Sequence, residues 1–114
     1  MKLPEHIEDM LVKLANSGAP NEICGFVMRW PSDGKLFILE CRNIAKDPEH
    51  YFEIHQEDLL KAYENEECLL GMYHSHPRGP EGPSEADRKY APPGGMRYFI
   101  VTLTHVYEHD META

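Results

Sequence analysis

The spacing of apolar residues in the first part of the chain predicts a helix followed by a hairpin. In residues 4–17, apolar side chains recur at intervals of three and four, which places them on one face of a helix. They are Ile7, Met10, Leu11 and Leu14. A proline suits the first turn of this helix, and Gly18 suits the position just past its end. Residues 23–30 and 36–41 are apolar runs separated by the turn residues 31–34, so we expect two paired strands.

The second part of the chain alternates between strand and helix patterns. The predicted elements are a short strand at 51–54, a helix at 56–65, a buried strand at 68–76, a short helix from Ser84 that is broken at 92–95, and a strand at 98–103. Because helices and strands interleave along the chain, the order implies an α/β fold with helices packed against a mixed sheet. A loop with three prolines, residues 77–83, separates the buried strand from the short helix.

Length and charge narrow the classes of function. The chain has 114 residues, which fits one domain spanning residues 1–114. Its formal net charge is −9, and its few basic residues are scattered. Since binding to nucleic acid requires clustered Lys and Arg, this class of partner is excluded. A peptide, a small molecule or a protein with a basic face is a more suitable partner.

The cysteines and the N-terminus predict the compartment. Cys24, Cys41 and Cys68 are odd in number and form no Cys-x-x-Cys pair, which favours reduced thiols inside a cell. The first residues turn acidic before any apolar run develops, so no signal peptide is expected. No apolar segment approaches the length of a membrane span. We therefore expect a cytoplasmic protein without a membrane partner.

One segment carries ligands for a metal ion. His74 and His76 are two residues apart on a predicted strand, so their side chains share one face. The stiff loop at 77–83 can return the chain and bring Asp87 beside them. Two neutral imidazoles and one carboxylate match a divalent ion. A zinc ion held in this way keeps a fourth position open for water, as in hydrolytic sites.

Each of these residues also has a purely structural explanation. Two histidines at this spacing are commonly core or surface residues. Ser84 is an ordinary helix N-cap, and Asp87 is favoured near the positive end of a helix with or without a metal. The combination of all of them at this spacing is what the structural explanation does not account for.

The same residues resemble a known signature. His74-Ser75-His76, seven residues, Ser84, two residues and Asp87 is similar to the motif of the JAMM (MPN+) metallopeptidases, with no position substituted. That family also has a glutamate in a Pro-x-Glu-x-Cys-Gly context after its first helix, and this chain has Glu22 within residues 20–25. The resemblance implies a three-layer α/β/α fold around a mixed, curved sheet, with an architecture like that of cytidine deaminases. It is strongest to the members from bacteria and tailed phages, of which the phage members are associated with tail assembly.

The resemblance also implies roles for these residues. His74, His76 and Asp87 would bind one Zn²⁺, Glu22 would act as the general base, and Ser84 would donate a hydrogen bond to the oxyanion. The substrate would be an amide or isopeptide bond in a peptide or at the tail of a ubiquitin-like protein. The location would be the cytoplasm, or the virion if a phage encodes the protein.

Two other classes of protein compete with this interpretation. A zinc deaminase needs His-x-Glu followed by Pro-Cys-x-x-Cys, and the sequence contains no Pro-Cys-x-x-Cys segment. A non-catalytic MPN scaffold that binds a protein partner is the stronger rival, although scaffold members typically lack one or more ligands.

The end of the chain leaves two structural alternatives open. Family members usually continue beyond the last confident strand, whereas this chain stops soon after Leu103. Either residues 106–109 form a shortened strand, or the sheet edge is exposed and could pair with a second copy as a homodimer.

Overall fold

The computed structural model describes residues 2–89 and 96–109, which form five strands and three α-helices. In chain order these elements are α1 (Glu5–Gly18), β1 (Cys24–Arg29), β2 (Leu36–Cys41), α2 (Gln56–Glu64), β3 (Leu69–Ser75), α3 (Glu85–Lys89), β4 (Arg97–Val101) and β5 (Val106–His109). A single 3₁₀ turn, Glu66–Cys68, joins α2 to β3. The predicted elements agree with these bounds to within about two residues, apart from the strand at 51–54.

The five strands form one mixed sheet in the order β2-β1-β3-β4-β5. β1 pairs antiparallel with both β2 and β3, β3 pairs parallel with β4, and β4 pairs antiparallel with β5. The predicted hairpin of β1 and β2 and the predicted mixed sheet are therefore confirmed. The parallel step from β3 to β4 requires a long crossover, and this crossover contains the proline-rich loop and α3.

The two faces of the sheet are covered by different helices. The apolar face of α1 packs with Val27, Tyr73 and Phe99 on one side of the sheet. Ala62 of α2 packs with residues of the opposite side. Those residues are Phe26, Met28, Met72, Tyr98 and Ile100. Because neighbouring residues of a strand point to opposite faces, β1, β2, β3 and β4 each contribute to both cores. The predicted three-layer α/β/α fold is confirmed.

The predicted strand at 51–54 is wrong. The segment is a loop with one isolated bridge, between Asn43 and Ile54. The side chain of Asn43 explains this difference. Its Nδ2 donates to the carbonyl of Tyr51, and its Oδ1 accepts from the backbone N–H of Glu53. An amide side chain thus takes hydrogen bonds that a neighbouring strand would otherwise take.

The last strand settles one of the two alternatives for the end of the chain. Residues 106–109 form the shortened strand β5, which covers the outer edge of β4. The outer strands of the sheet are therefore β2 and β5. A homodimer through an exposed edge stays a prediction, and the predicted helix break at 92–95 lies outside the described residues.

Gly25 makes room for a side chain of the core. A Cβ atom at this position would collide with the hydroxyl of Tyr73 and with the carbonyl of Leu39. The glycine of the Pro-x-Glu-x-Cys-Gly segment therefore has a packing reason, since only glycine lets Tyr73 cross β1 at this distance.

Cys24, Cys41 and Cys68 are free, and Cys24 and Cys68 are buried. Burial raises the pKa of Cys24 and of Cys41 to about 12, so both thiols stay protonated at neutral pH.

Of the helices within the described residues, none has the length and apolar character needed to cross a membrane.

Candidate metal centre

The two histidines of the motif meet at the carboxyl end of β3. His74 lies in the strand and His76 follows it directly after Ser75. Because they are two residues apart, both imidazoles point to the same side of the sheet. Their Nε2 atoms lie 2.9 Å apart, and the side chains are 0% and 5% exposed, respectively. The prediction that both side chains share one face is therefore confirmed.

The loop after β3 returns Asp87 to the same point. Its Oδ2 atom lies 3.0 Å from Nε2 of His76 and 3.2 Å from Nε2 of His74. Asp87 and Ser84 also form a reciprocal cap at the start of α3. The backbone N–H of Ser84 donates to Oδ2 at 2.8 Å, and the backbone N–H of Asp87 donates to Oγ of Ser84 at 3.0 Å. The cap fixes the direction of the carboxylate, while the hydroxyl hydrogen of the exposed Ser84 stays available.

The hydrogen bond of His76 shows which of its two ring nitrogens presents a lone pair to the centre. Its Nδ1 lies 2.8 Å from the carbonyl oxygen of Pro80, which can only accept, so Nδ1 carries the proton. In the neutral ring, Nε2 then presents a lone pair to the centre. That lone pair, the carboxylate oxygen of Asp87 and Nε2 of His74 converge within 3.2 Å. Such a set of electron-pair donors fits a cation.

Glu22 reaches the centre through the pairing of β1 with β3. Cys24 lies opposite His74 in this antiparallel pair, so continuing the register by two residues brings Glu22 opposite His76. Glu22 is 6% exposed, and its Oε1 atom has no hydrogen-bond partner among the described residues. Burial raises the pKa of Glu22 to about 7. A carboxyl group with this pKa can take up and release a proton near neutral pH.

Backbone hydrogen bonds on both sides hold Glu22 in place. Its N–H donates to the carbonyl of Pro48 at 2.7 Å, and its carbonyl accepts from Nδ2 of Asn43 at 2.9 Å. The next residue, Ile23, donates its N–H to Oγ of Ser75 at 2.8 Å. The serine between the two histidines therefore joins the backbone next to Glu22 to the strand that carries the histidines.

The pKa shifts of the residues at the centre favour an ionised carboxylate on Asp87. Burial by itself would raise the pKa of Asp87, but contacts with His74 and His76 outweigh it and hold that pKa well below its usual range. Burial lowers the pKa of His74. Burial would also lower the pKa of His76, but its hydrogen bonds with Asp87 and Pro80 raise it overall. The centre thus combines an anionic Asp87 with a neutral His74.

Two sets of ligands are compatible with this geometry. Glu22, His74 and His76 form a buried group whose ligand-type atoms all lie within 4.8 Å of one another, so it could hold a metal ion. Asp87 is at hydrogen-bond distance from both histidines, whereas Oε1 of Glu22 has no such contact within residues 2–89 and 96–109. The shorter distances favour His74, His76 and Asp87 as ligands, with Glu22 beside them. These residues are brought together as expected, and their chemical roles stay predictions.

Several residues of the centre were missed by the sequence analysis. The ring of Phe52 stacks on His74 with centroids 4.4 Å apart, and the hydroxyl of Tyr98 lies 3.1 Å from Nδ1 of His74. Nε2 of His109 donates to the carbonyl of Glu81 at 2.8 Å and so anchors the proline-rich loop. Phe52 and Tyr98 have ordinary core patterns in the sequence, and no spacing rule connects them to His74.

The comparisons with known proteins agree with the fold and with the motif. The family model described as prokaryotic homologs of the JAB domain matches residues 4–113. Among curated proteins, none matches the chain. The solution structure of a protein from Desulfitobacterium hafniense is 25% identical, with a TM-score of 0.64, and the match covers 90% of this chain and 84% of that one.

Two further structures share the fold at lower identity. A solution structure of a protein from Salinibacter ruber is 20% identical, with a TM-score of 0.56, and the match covers 96% of this chain and 89% of that one. The crystal structure of a cytidine deaminase from Burkholderia pseudomallei is 15% identical, with a TM-score of 0.52 and a coverage of 97% and 95%, respectively. The expected likeness to the cytidine deaminase architecture is confirmed. Since the family model spans nearly the whole chain, this protein belongs to the prokaryotic homologues of the JAB domain, a family of the JAMM/MPN type.

Proposed function

We propose that this protein is a zinc metallopeptidase that hydrolyses an amide or isopeptide bond in a peptide or in a ubiquitin-like tail. The observation that carries the proposal is the convergence of His74, His76 and Asp87 beside the buried carboxylate of Glu22. A structural role does not require three electron-pair donors within 3.2 Å of one another. It also leaves unexplained why the buried Oε1 of Glu22 has no hydrogen-bond partner in the described part of the chain.

His74, His76 and Asp87 would hold one Zn²⁺. Two neutral imidazoles and one carboxylate are ligands that zinc prefers, and three protein ligands are typical of catalytic rather than structural zinc sites. When bound, the ion would supply Lewis acidity and lower the pKa of a water molecule toward neutrality. The carbonyl of Pro80 fixes Nδ1 of His76 as a donor, so Nε2 of that ring is ready to act as a ligand.

Glu22 would move the proton. Its buried carboxyl group has a pKa of about 7, so it can accept a proton from the attacking water and pass it to the leaving amine. Ser84 would donate its hydroxyl hydrogen to the oxygen that becomes negative as the carbonyl is attacked. The hydroxyl can do so while its oxygen accepts from the N–H of Asp87, because a hydroxyl group both donates and accepts.

The substrate class rests on family membership and on charge. The net charge of −9 disfavours acidic polymers and is compatible with a peptide or protein of neutral or basic character. A ubiquitin-like tail, a protein of a phage tail or another peptide would each present a suitable amide. We place the reaction in the cytoplasm, or at the virion if the protein is of phage origin.

Metal removal tests this function. The zinc-loaded protein and the protein treated with a chelator would be incubated with an unstructured peptide library and with a ubiquitin-like protein extended beyond its C-terminal glycine. Mass spectrometry would then be used to find new termini. We expect cleavage with zinc, none after chelation, and recovery when zinc is added back. A protein that binds zinc and peptides but produces no new terminus would instead be a non-catalytic scaffold.

Substitution of Ser84 separates its contribution to catalysis from its contribution to stability as a helix N-cap. We expect Ser84→Gly to lower kcat by roughly 10²- to 10³-fold, because one donor to the oxyanion is lost. Stability should change by only a few tenths of a kcal/mol, since glycine is a tolerable N-cap. Ser84→Thr keeps both the hydroxyl and the cap, so it should retain most of the activity. Equal activity of Ser84→Gly and the wild type, measured as kcat at saturating substrate, would exclude the role of this hydroxyl.

A further inference from the structure

The imidazole of His74 is held on two sides by aromatic residues. The ring of Phe52 stacks on it at 4.4 Å with an interplanar angle of 22°, and the ring of Tyr98 meets it edge-on at 5.5 Å and 72°. The hydroxyl of Tyr98 lies 3.1 Å from Nδ1 of His74. Among the described residues, Nε2 contacts His76 and Asp87 on the opposite side of the imidazole. The position of Nε2 at the metal centre is therefore set by what holds Nδ1 and the ring face.

The partners of the two histidines differ in chemistry. The carbonyl of Pro80 can only accept, so it permits a single tautomer of His76. The hydroxyl of Tyr98 can donate to Nδ1 of His74 or accept from it, so it accommodates either tautomer. Coordination through Nε2 requires the tautomer in which Nδ1 carries the proton and donates. The ability of His74 to bind the ion through Nε2 thus depends on the hydroxyl group of Tyr98.

Tyr98 is placed to do this by the parallel pairing of β3 and β4. Met72 lies opposite Tyr98 and His74 lies opposite Ile100, so Tyr98 is two residues behind His74 on the neighbouring strand. Its ring extends toward the carboxyl end of β3, so that its hydroxyl reaches His74. Tyr98 is only 1% exposed, so water does not compete for its hydroxyl. Burial raises the pKa of Tyr98, which keeps the hydroxyl neutral.

We propose that Tyr98 is a positioning residue of the metal centre, whose hydroxyl accepts the hydrogen bond of Nδ1 in the metal-binding tautomer of His74, holds the ring in its orientation and thereby raises the affinity for the ion. The proposal rests on the proposed role of His74 as a ligand. Without the hydroxyl, Nδ1 of a fully buried ring loses its hydrogen-bond partner. Residues that orient metal-bound histidines typically contribute a factor of roughly 10 to 100 in metal affinity.

Tyr98→Phe and Tyr73→Phe form a matched pair of variants for the test. Both tyrosines are buried in the sheet, but the hydroxyl of Tyr73 has no hydrogen-bond partner among the described residues. Affinity would be measured with Zn²⁺ alone, by competition with a chromophoric chelator, so no substrate is needed. We expect Tyr98→Phe to bind zinc roughly 10- to 100-fold more weakly than the wild type, and Tyr73→Phe to bind it with unchanged affinity.

The outcomes separate this proposal from the proposed function. A wild-type protein that binds no zinc would overturn both. Zinc binding that is equal in the wild type and Tyr98→Phe, or weakened equally in both variants, would overturn the role of Tyr98 while the metallopeptidase proposal stands.

A second measurement uses the wild type only and does not depend on how the variant folds. Nitrogen-15 NMR of the zinc-loaded protein should show His74 with its proton on Nδ1, hydrogen-bonded to an oxygen. A proton on Nδ1 of His74 that exchanges rapidly with water, and so lacks this hydrogen bond, would overturn the role of Tyr98 while His74 remains a ligand.

Discussion

Replacement of Glu22 by Gln is expected to leave zinc bound and to abolish most of the hydrolysis. The amide has nearly the same shape as the carboxyl group but cannot take a proton from water. General acid–base catalysis typically contributes a factor of 10²–10⁴, so we expect kcat to fall by about that amount. The measurement would combine elemental analysis of the purified variant with the rate of peptide cleavage at saturating substrate.

Glu53→Gln is the control for this variant, because Glu53 is an exposed glutamate of the neighbouring loop. It should keep full activity. Loss of zinc from Glu22→Gln would contradict the assignment, and it would favour the alternative ligand set of Glu22, His74 and His76. Asp87→Asn also distinguishes the two sets of ligands, since it should lose zinc only if Asp87 is a ligand.

The stability of Glu22→Gln provides a further check that does not require a substrate. Burial raises the pKa of Glu22 from 4.5 to about 7, so folding favours the protonated form of this group. The contribution of Glu22 to stability is therefore fully present at low pH and is lost as pH rises through about 7. At pH 8, the chelator-treated variant should thus melt no lower than the chelator-treated wild type.

The local part of the centre could be predicted from the sequence. His74 and His76 share a face because side chains alternate along a strand, and this holds wherever the strand lies in the sheet. Asp87 returns because a loop of fixed length and a helix cap restrict where it can be. Each of these inferences depends on fewer than about 15 consecutive residues, a range over which turn and strand chemistry determines the geometry.

The position of Glu22 could not be predicted in this way. It depends on the pairing of β1 with β3, which are joined by a long connection that contains α2. The apolar pattern indicated the hairpin of β1 with β2, but it carries no information about which strand covers the other edge of β1. Only the family resemblance of residues 20–25 placed Glu22 at the centre, and the register of β1 with β3 is the physical reason.

Tyr98, Phe52 and Asn43 show a different limit. Tyr98 and Phe52 have the apolar environment that any core aromatic would have, and their function depends on where a single histidine ring lies. Asn43 lies in a polar loop that the sequence marks only as irregular, yet its amide makes four hydrogen bonds, with Glu22, Ala45, Tyr51 and Glu53. Side-chain hydrogen bonds of this kind replace a strand, so the pattern of apolar residues misassigned that segment.

Replacement of His76 by Ala is expected to remove the metal and, with it, the activity. The wild type should contain roughly one zinc per chain after dialysis, and the variant should contain almost none, because two ligands do not make a stable zinc site. Zinc should also stabilise the wild type, by about 2.7 kcal/mol at a free concentration one hundred times its Kd. The melting temperature of His76→Ala should not respond to zinc at that concentration.

His105→Ala is the control, since His105 is an exposed histidine in the turn before β5. It should bind zinc, respond to it in thermal unfolding and cleave substrate as the wild type does. Comparison of the two variants thus separates the loss of a specific ligand from the loss of one histidine out of seven. Retention of a full equivalent of zinc by His76→Ala would refute the ligand assignment. The convergence of Nε2 of His76 with Asp87 would then be a structural contact, and the non-catalytic scaffold would become the better explanation of this protein.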